Sequence, residues 1–375
     1  MLKTSSKTVM VVAGGTGGHI FPGIAVAKLL EQRGWQVIWV GTSDRMEARI
    51  VPQQGFDIEY INVSGVRGNG LKKLVKAPMM VLHAVMQAKK LIKQYKPDVM
   101  LGMGGYVTGP CGVAAKLSKV PLLIHEQNAV AGFTNKMLAK IADQVLLGFP
   151  NIKDVGDNAI YVGNPVRAEL IAEAAEPVTQ ALSESDIIST EKSGQSAINV
   201  LVVGGSLGAK VLNDSLPRFF SQLPDEIKVN VWHQVGKGNQ HQVSQDYQNI
   251  NADIQVNEFI DDMSAAYQWA DVVICRAGAL TVSEVAAAGV AAVFVPLPHA
   301  VDDHQTANAN WLVENDAGVI LPQSELLKNG LNTVFLPLLK EPKLIQAMGK
   351  KAKSLAVINA TETVADICEQ YTRLV

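Results

Sequence analysis

Cysteine is scarce in this chain: Cys111, Cys275 and Cys368 are its full set, and they lie far apart. An odd, sparse set builds neither a disulfide framework nor a cysteine-rich metal site, so a reducing compartment is expected. Long apolar runs are also missing. The run from Val9 to Ala13 is too short for the core of a signal peptide, and the runs elsewhere are too broken to span a bilayer. Net charge is only −2, which leaves no global attraction for nucleic acid, and no nucleic-acid partner is expected. Three short signatures are absent as well. Without G-x-G-x-x-G and its trailing acidic residue, a dinucleotide oxidoreductase is disfavoured. Without G-K-[ST] there is no Walker loop. Without D-x-D, a required catalytic metal is not indicated.

What is present is apolar and glycine-rich: 48% hydrophobic residues and 31 glycines in 375 positions. That length exceeds one ordinary core and predicts two domains. Apolar runs at 8–15, 34–42, 96–105 and 120–128 alternate with helical stretches such as Ile20–Arg33. This is the rhythm of a parallel sheet covered on both faces. After a polar stretch at 171–197 the rhythm restarts at 198–210, where INVLVVGGSLGAK echoes TVMVVAGGTGGH, and continues at 229–236, 252–260, 270–278 and 290–298. The expected fold class is α/β, two doubly wound parallel-sheet domains facing a cleft, with a hinge near 162–170. Ligands of such sheets sit outside the carboxyl ends of the strands.

Several strand tips carry candidate chemistry. Gly14, Gly15, Thr16, Gly17, Gly18 and His19 open a helix, where free backbone N–H groups can cradle a phosphate. His19 is a candidate base or phosphate ligand. Gly104, Gly105 and Tyr106 lie in a second glycine-rich loop. His125, Glu126, Gln127 and Asn128 form a polar third tip. In the second half, Ser206 sits in a strand-to-helix turn. Gly278, Ala279, Leu280 and Thr281 open a helix suited to a diphosphate, and Glu284 one turn later can accept both hydroxyls of a ribose. His299, Asp302, Asp303, His304, Gln305 and Asn308 cluster after an apolar strand, but their spacing matches no zinc motif. Amides such as Gln305 suit sugar hydroxyls better. Between Glu59 and Asp98 there is no acidic residue, while Arg67, Lys72, Lys73 and Lys76 interleave with Leu71, Leu74, Val75, Met79 and Met80. The segment 67–80 therefore suits an anionic membrane surface; part of 81–95 reads as an ordinary core-facing helix.

The motifs GGTGGHIFPGIAVA (14–27), GMGGYVTGP (102–110), HEQNAVAGFTNK (125–136), GNPVR (163–167) and CRAGALTVSE (275–284) occur here in this order. On these the chain resembles the bacterial N-acetylglucosaminyltransferases of glycosyltransferase family 28, which convert lipid I into lipid II. The resemblance covers nearly the whole chain and implies the GT-B arrangement of two Rossmann-like domains. It implies an acceptor-binding, membrane-associated domain at 1–163, a donor-binding domain at 164–345, and a terminal helix within 346–375 that returns to the first domain. It implies UDP-N-acetylglucosamine as donor and undecaprenyl-diphospho-N-acetylmuramyl-pentapeptide as acceptor. The donor is expected to meet Thr16, Gly17, Gly18, Arg167, Ser206, Phe259, Ile260, Met263, Ala279, Leu280, Thr281, Glu284, His304 and Gln305. The acceptor is expected to meet Gly14, Gly15, Gly104, Gly105, Tyr106 and Asn128. His19 is expected as the base, or else as a ligand of the acceptor diphosphate. No cofactor is required, and a divalent cation is expected at most to stimulate turnover. The expected place is the cytoplasmic face of the inner membrane, held peripherally, with other membrane-bound cell-wall synthases as candidate partners. Leu207 stands where many relatives carry Gln, His304 where some carry a second Gln, and 171–197 is longer than usual. Competing readings are another GT-B transferase with a different acceptor, a UDP-sugar 2-epimerase, and a sensor that binds the sugar nucleotide without turnover.

Overall fold

The computed structural model describes residues 6–63, 70–167, 169–170, 197–205, 208–298 and 303–372, with side chains of 70–77 left aside. The chain divides into two compact units, Met1–Arg167 with Val357–Val375, and Ala168–Ala356.

In the first unit the chain lays down β1 (Thr8–Ala13), α1 (Gly17–Gln32), β2 (Gln36–Gly41), α2 (Glu47–Gln53), β3 (Ile58–Tyr60), α3 (Gly70–Tyr95), β4 (Val99–Gly104), α4 (Thr108–Leu117), β5 (Leu122–Glu126), α5 (Phe133–Ala139), β6 (Gln144–Leu147) and β7 (Ala159–Tyr161). The sheet order is β3-β2-β1-β4-β5-β6-β7, and every pairing is parallel. All residues of β1, β4 and β5 are buried, as central strands covered on both faces must be. Between Val12 and Ala13 the register against β4 slips, so that Ala13 faces Gly104. Such a bulge re-aims the strand ends, here at the point where both strands run into their glycine loops. Helix α3 runs unbroken through Pro78 into the stretch with buried residues after it; of the segment 67–80 expected at a membrane, residues 67–69 and the side chains of 70–77 lie outside the described residues.

The second unit repeats the plan with β8 (Ile198–Val203), α6 (Lys210–Phe220), β9 (Val229–Gln234), α7 (Gln240–Asp246), β10 (Asp253–Asn257), α8 (Met263–Trp269), β11 (Val272–Cys275), α9 (Ala279–Ala288), β12 (Ala291–Phe294), α10 (His304–Val313), β13 (Val319–Ile320), α11 (Gln323–Leu326), α12 (Gly330–Lys340) and α13 (Pro342–Leu355). Its parallel sheet runs β10-β9-β8-β11-β12-β13. Helix α9 ends on Gly289, whose φ of 73° is the left-handed cap that glycine adopts without a Cβ clash.

The last described helix, α14 (Ala360–Gln370), belongs to the first unit and contributes Val364, Ala365, Ile367 and Cys368 to that unit's core. Arg33 at the end of α1 ties it down, with Nη1 2.7 Å from Asp366 and 3.2 Å from Glu369. The return starts at Val357, so α13 stays wholly with the second unit, although an expected boundary at 345 falls inside that helix.

Candidate functional site

In the first unit the strand tips are locked together. The Gly14 N–H faces the Gly104 carbonyl at 3.4 Å. Gly15, Gly104 and Gly105 have φ of 93°, 107° and 88°, where glycine carries no Cβ strain. A Cβ on Gly105 would lie 2.3 Å from the Gly14 carbonyl oxygen, so the two loops touch backbone to backbone. The His19 ring lies over this junction. Its Nδ1 is 3.2 Å from the Gly14 carbonyl and 3.5 Å from the Thr16 hydroxyl. A Cβ on Gly104 would meet the other side of the ring at 2.7 Å from Cδ2. A carbonyl partner requires a proton on Nδ1, which makes Nε2 the accepting nitrogen. Gly17, Gly18 and His19 are half-buried, Thr16 is exposed, and Tyr106 projects at the rim.

Glu47 was not singled out by the sequence, yet it organises this corner. Its side chain is 0% exposed. Oε2 accepts from the Gly15 N–H at 2.9 Å, and Oε1 accepts from the Thr42 N–H at 3.0 Å and the Thr42 hydroxyl at 2.7 Å. A glutamate in the first turn of a helix is ordinary, so nothing local marks it. Its partner Gly15 lies 32 residues upstream.

At the third tip, three of four polar side chains are anchors. His125 is buried, with Nε2 3.0 Å from the Gly163 carbonyl. Burial pushes its imidazole down to about 4, against the smaller opposing effect of that carbonyl. Glu126 accepts from the N–H groups of Asn128 and Gly132 and from the Asn135 amide at 2.9 Å. Gln127 donates to the Met103 carbonyl at 2.8 Å. Asn128 alone remains half-exposed at the rim. The Arg167 guanidinium stacks over the Phe21 ring at 5.7 Å.

In the second unit, Ser206 and Leu207 lie outside the described residues, as do 299–302 of the polar cluster. The flanking turn is tight: a Cβ on Gly208 would lie 2.2 Å from the Val235 carbonyl oxygen. Gly278 is the N-cap of α9, so the N–H groups of Ala279, Leu280 and Thr281 begin that helix without intrahelical acceptors. Two side chains fix this turn. The Asn308 amide donates to the Ala277 carbonyl at 3.1 Å. Arg276 donates to the Val295 and Pro296 carbonyls at 3.0 and 3.2 Å and to Gln323 at 2.9 Å. Glu284, 7% exposed, faces the Tyr267 hydroxyl at 3.4 Å. Gln305 uses its carbonyl oxygen to accept from the Leu297 N–H at 2.9 Å, which leaves its amide N–H groups to serve as donors. His304 opens α10 and is half-buried. Phe259 is 57% exposed and presents its ring, whereas Ile260 and Met263 are buried and can offer a ligand mainly their backbone. Among the described residues, no group of three His, Cys, Asp or Glu side chains could hold a metal ion.

The glycosyltransferase family 28 N-terminal domain matches residues 9–147, and the family's C-terminal domain matches residues 199–371. A UDP-N-acetylglucosamine--N-acetylmuramyl-(pentapeptide) pyrophosphoryl-undecaprenol N-acetylglucosamine transferase of Pseudoalteromonas translucida is 53% identical over 98% of this chain and 99% of its own. The protein of the same description from Shewanella loihica is 53% identical over 97% of each chain. Among solved structures, Acinetobacter baumannii MurG is 42% identical, covers 97% of this chain and 99% of its own, and superposes with a TM-score of 0.79. The two parallel-sheet units are thus Rossmann-like domains of the GT-B kind. With both halves matched and identity above half along almost its whole length, the chain belongs to glycosyltransferase family 28.

Proposed function

We propose that this chain transfers N-acetylglucosamine from UDP-N-acetylglucosamine to the muramyl 4-hydroxyl of undecaprenyl-diphospho-N-acetylmuramyl-pentapeptide, giving lipid II and UDP. The observation that carries the reading is the 53% identity, over 98% of the chain, to a transferase described by this donor and this acceptor.

The acceptor diphosphate is assigned to the backbone junction of Gly14, Gly15, Gly104 and Gly105, with Tyr106 and Asn128 at its rim. Glycine is needed there because a side chain on Gly105 would displace the neighbouring loop. The donor is assigned to the second unit: Phe259 and the backbone at Ile260 and Met263 to the uracil, Glu284 to the ribose, Ser206 and the Ala279-Leu280-Thr281 turn to the diphosphate, and His304 and Gln305 to the sugar. Thr16, Gly17, Gly18 and Arg167 are assigned to the donor from the first unit. The donor is α-linked and the product β-linked, so the chemistry is one inverting displacement. His19 Nε2 takes the proton of the attacking hydroxyl, and the Nδ1–H contact to Gly14 holds the tautomer that leaves Nε2 basic. The C–O bond to UDP breaks as the new glycosidic bond forms. The unsatisfied N–H groups at the start of α9 stabilise the negative charge on the departing diphosphate.

The acceptor's lipid implies a membrane surface. Met79 is 76% exposed on α3, and Leu82 and Met86 follow on the same helix at helical spacing. Val113 and Leu117 on α4 and Phe133 and Met137 on α5 are also exposed. With Lys89, Lys90, Lys119 and Lys140 nearby in sequence, these exposed apolar residues suit peripheral binding to anionic lipid on the cytoplasmic side of the inner membrane. No helix among the described residues is long and apolar enough to cross a membrane.

The test is transfer of labelled N-acetylglucosamine from the UDP donor to a short-chain lipid I analogue in detergent. A disaccharide-lipid product with one UDP per transfer is expected. Donor binding without any transfer would favour a sugar-nucleotide sensor and overturn the reading.

A further inference from the structure

The first unit holds a groove of about 490 Å³ that none of the residues assigned to the donor or to the acceptor diphosphate lines. Its walls are Thr42, Ser43 and Asp44 after β2, Ile61, Asn62 and Val63 after β3, and Met79, Met80 and His83 on α3. Ile61, Val63 and the two methionines supply the apolar part of its lining. Thr42, Ser43, Asp44, Asn62 and His83 supply the polar part, and one side of it is held in shape: the Asn62 N–H donates to Gln87 at 2.8 Å, and the Gln87 amide lies 3.3 Å from His83 Nε2.

Two observations say what fits there. One is the buried carboxylate of Glu47, whose two oxygens grip Thr42 in the groove wall and Gly15 in the glycine loop. Groove and glycine loop are thus one carboxylate apart and rigidly coupled. The other is continuity: Met79 lines the groove and also belongs to the exposed apolar face of α3 that runs on through Leu82 and Met86. A ligand whose diphosphate sits on Gly14 and Gly15 would have this partly apolar groove on the far side of the Glu47 bridge, and the exposed apolar face of α3 beyond it. Methionines suit an irregular, branched hydrocarbon because their side chains are flexible and polarisable.

We infer that this groove is a subsite for the isoprene units next to the diphosphate of the acceptor. The inference rests on the proposed function and adds a specificity element to it: the enzyme grips the root of the lipid chain and does not rely on the bilayer alone to present it. The muramyl sugar is then free to extend from the other phosphate.

The test uses water-soluble acceptors, so that membrane partitioning does not enter. Muramyl-peptide diphosphates are made with a ten-carbon isoprenyl ester and with a methyl ester, and kcat/KM is measured for each with the full chain. The native protein is expected to prefer the isoprenyl acceptor. In the double variant Val63→Asn, Met80→Gln that preference should shrink about tenfold, as expected when part of one isoprene unit no longer packs against an apolar wall. Met80→Leu, which keeps an apolar wall, should retain it. If the double variant does not fold, Met80→Gln alone is read in the same way. Equal kcat/KM for the two esters in the native protein, or an unchanged preference in the variant, overturns the subsite while leaving the transferase reading intact. A loss that follows the length of the peptide and not of the isoprenyl chain assigns the groove to the peptide stem and also overturns it. No transfer to either ester removes the transferase reading, and the subsite with it.

Discussion

Replacing Glu47 by Gln changes one atom type in a buried corner and should be felt at the acceptor. The carboxylate accepts three hydrogen bonds, two on Oε1 from Thr42 and one on Oε2 from Gly15. A glutamine has one accepting oxygen. Keeping that oxygen on Thr42 preserves two bonds but turns an NH2 group towards the Gly15 N–H, donor against donor. Hydrogen bonds to charged groups contribute about 1.5–3 kcal/mol each, so the variant should lose about 2–3 kcal/mol of stability. The alternative orientation sacrifices both Thr42 bonds and costs more. Since Gly15 must retreat from the amide, the glycine junction shifts, and misplacement of a binding loop typically costs about ten- to a hundredfold in rate. Urea unfolding should show the stability loss. Steady-state kinetics should show a fall in kcat/KM for the acceptor with the KM for UDP-N-acetylglucosamine unchanged. A variant with native acceptor kinetics would refute the claim that Glu47 sets the loop, and an equal loss towards both substrates would show general damage in its place.

Gly105→Ala should abolish transfer while donor binding persists, because its Cβ meets the Gly14 carbonyl at 2.3 Å and φ is 88°; titration with UDP-N-acetylglucosamine and the transfer assay together check this. Gln305→Ala should weaken binding of the sugar nucleotide far more than binding of UDP itself, and calorimetry with both ligands would expose an equal loss. His125 titrates near 4 when folded against 6.5 when free, so it favours the unfolded state once pH drops below 6.5. Its contribution is intact above that pH and is lost as pH falls towards 4, on the order of 3 kcal/mol in total; His125→Gln should flatten the acid side of the urea midpoint against pH. The combined change Leu82→Gln, Met86→Gln, Leu117→Gln should lower pelleting with anionic liposomes at least about tenfold, and an unaltered partition would move the membrane contact elsewhere.

The central strands were legible because their signal is local. In β1 and β8 an apolar run ends on paired glycines, and both features lie within a dozen residues. The edge strands β3, β7 and β13 were not, since two or three half-exposed residues carry no run to read. At the site, the glycine loops announced themselves, whereas the residues that hold them did not. Glu47 looks like any helix-opening acid, and only a contact across 32 positions gives it meaning. The polar tip at His125, Glu126 and Gln127 consists mostly of braces, because sequence shows which side chains can hydrogen-bond and not whether the backbone claims them first. The return of the chain to the first unit was implied by family resemblance and by no feature of periodicity.

That return has a consequence for how the protein is born. The second unit is in effect an insertion within the first, since the chain leaves at Arg167 and comes back at Val357. Gly163 and Val357 sit against each other, with a Cβ on Gly163 only 2.6 Å from the valine Cβ. On a ribosome the amino-terminal sheet therefore emerges first but lacks Val364, Ala365, Ile367 and Cys368, the part of its core that α14 supplies. The inserted unit has all its own strands by then and can finish first. The earliest-made domain should be the last to close, with one side of α1 uncovered during synthesis, which makes that interval the one in which a chaperone has most to hold.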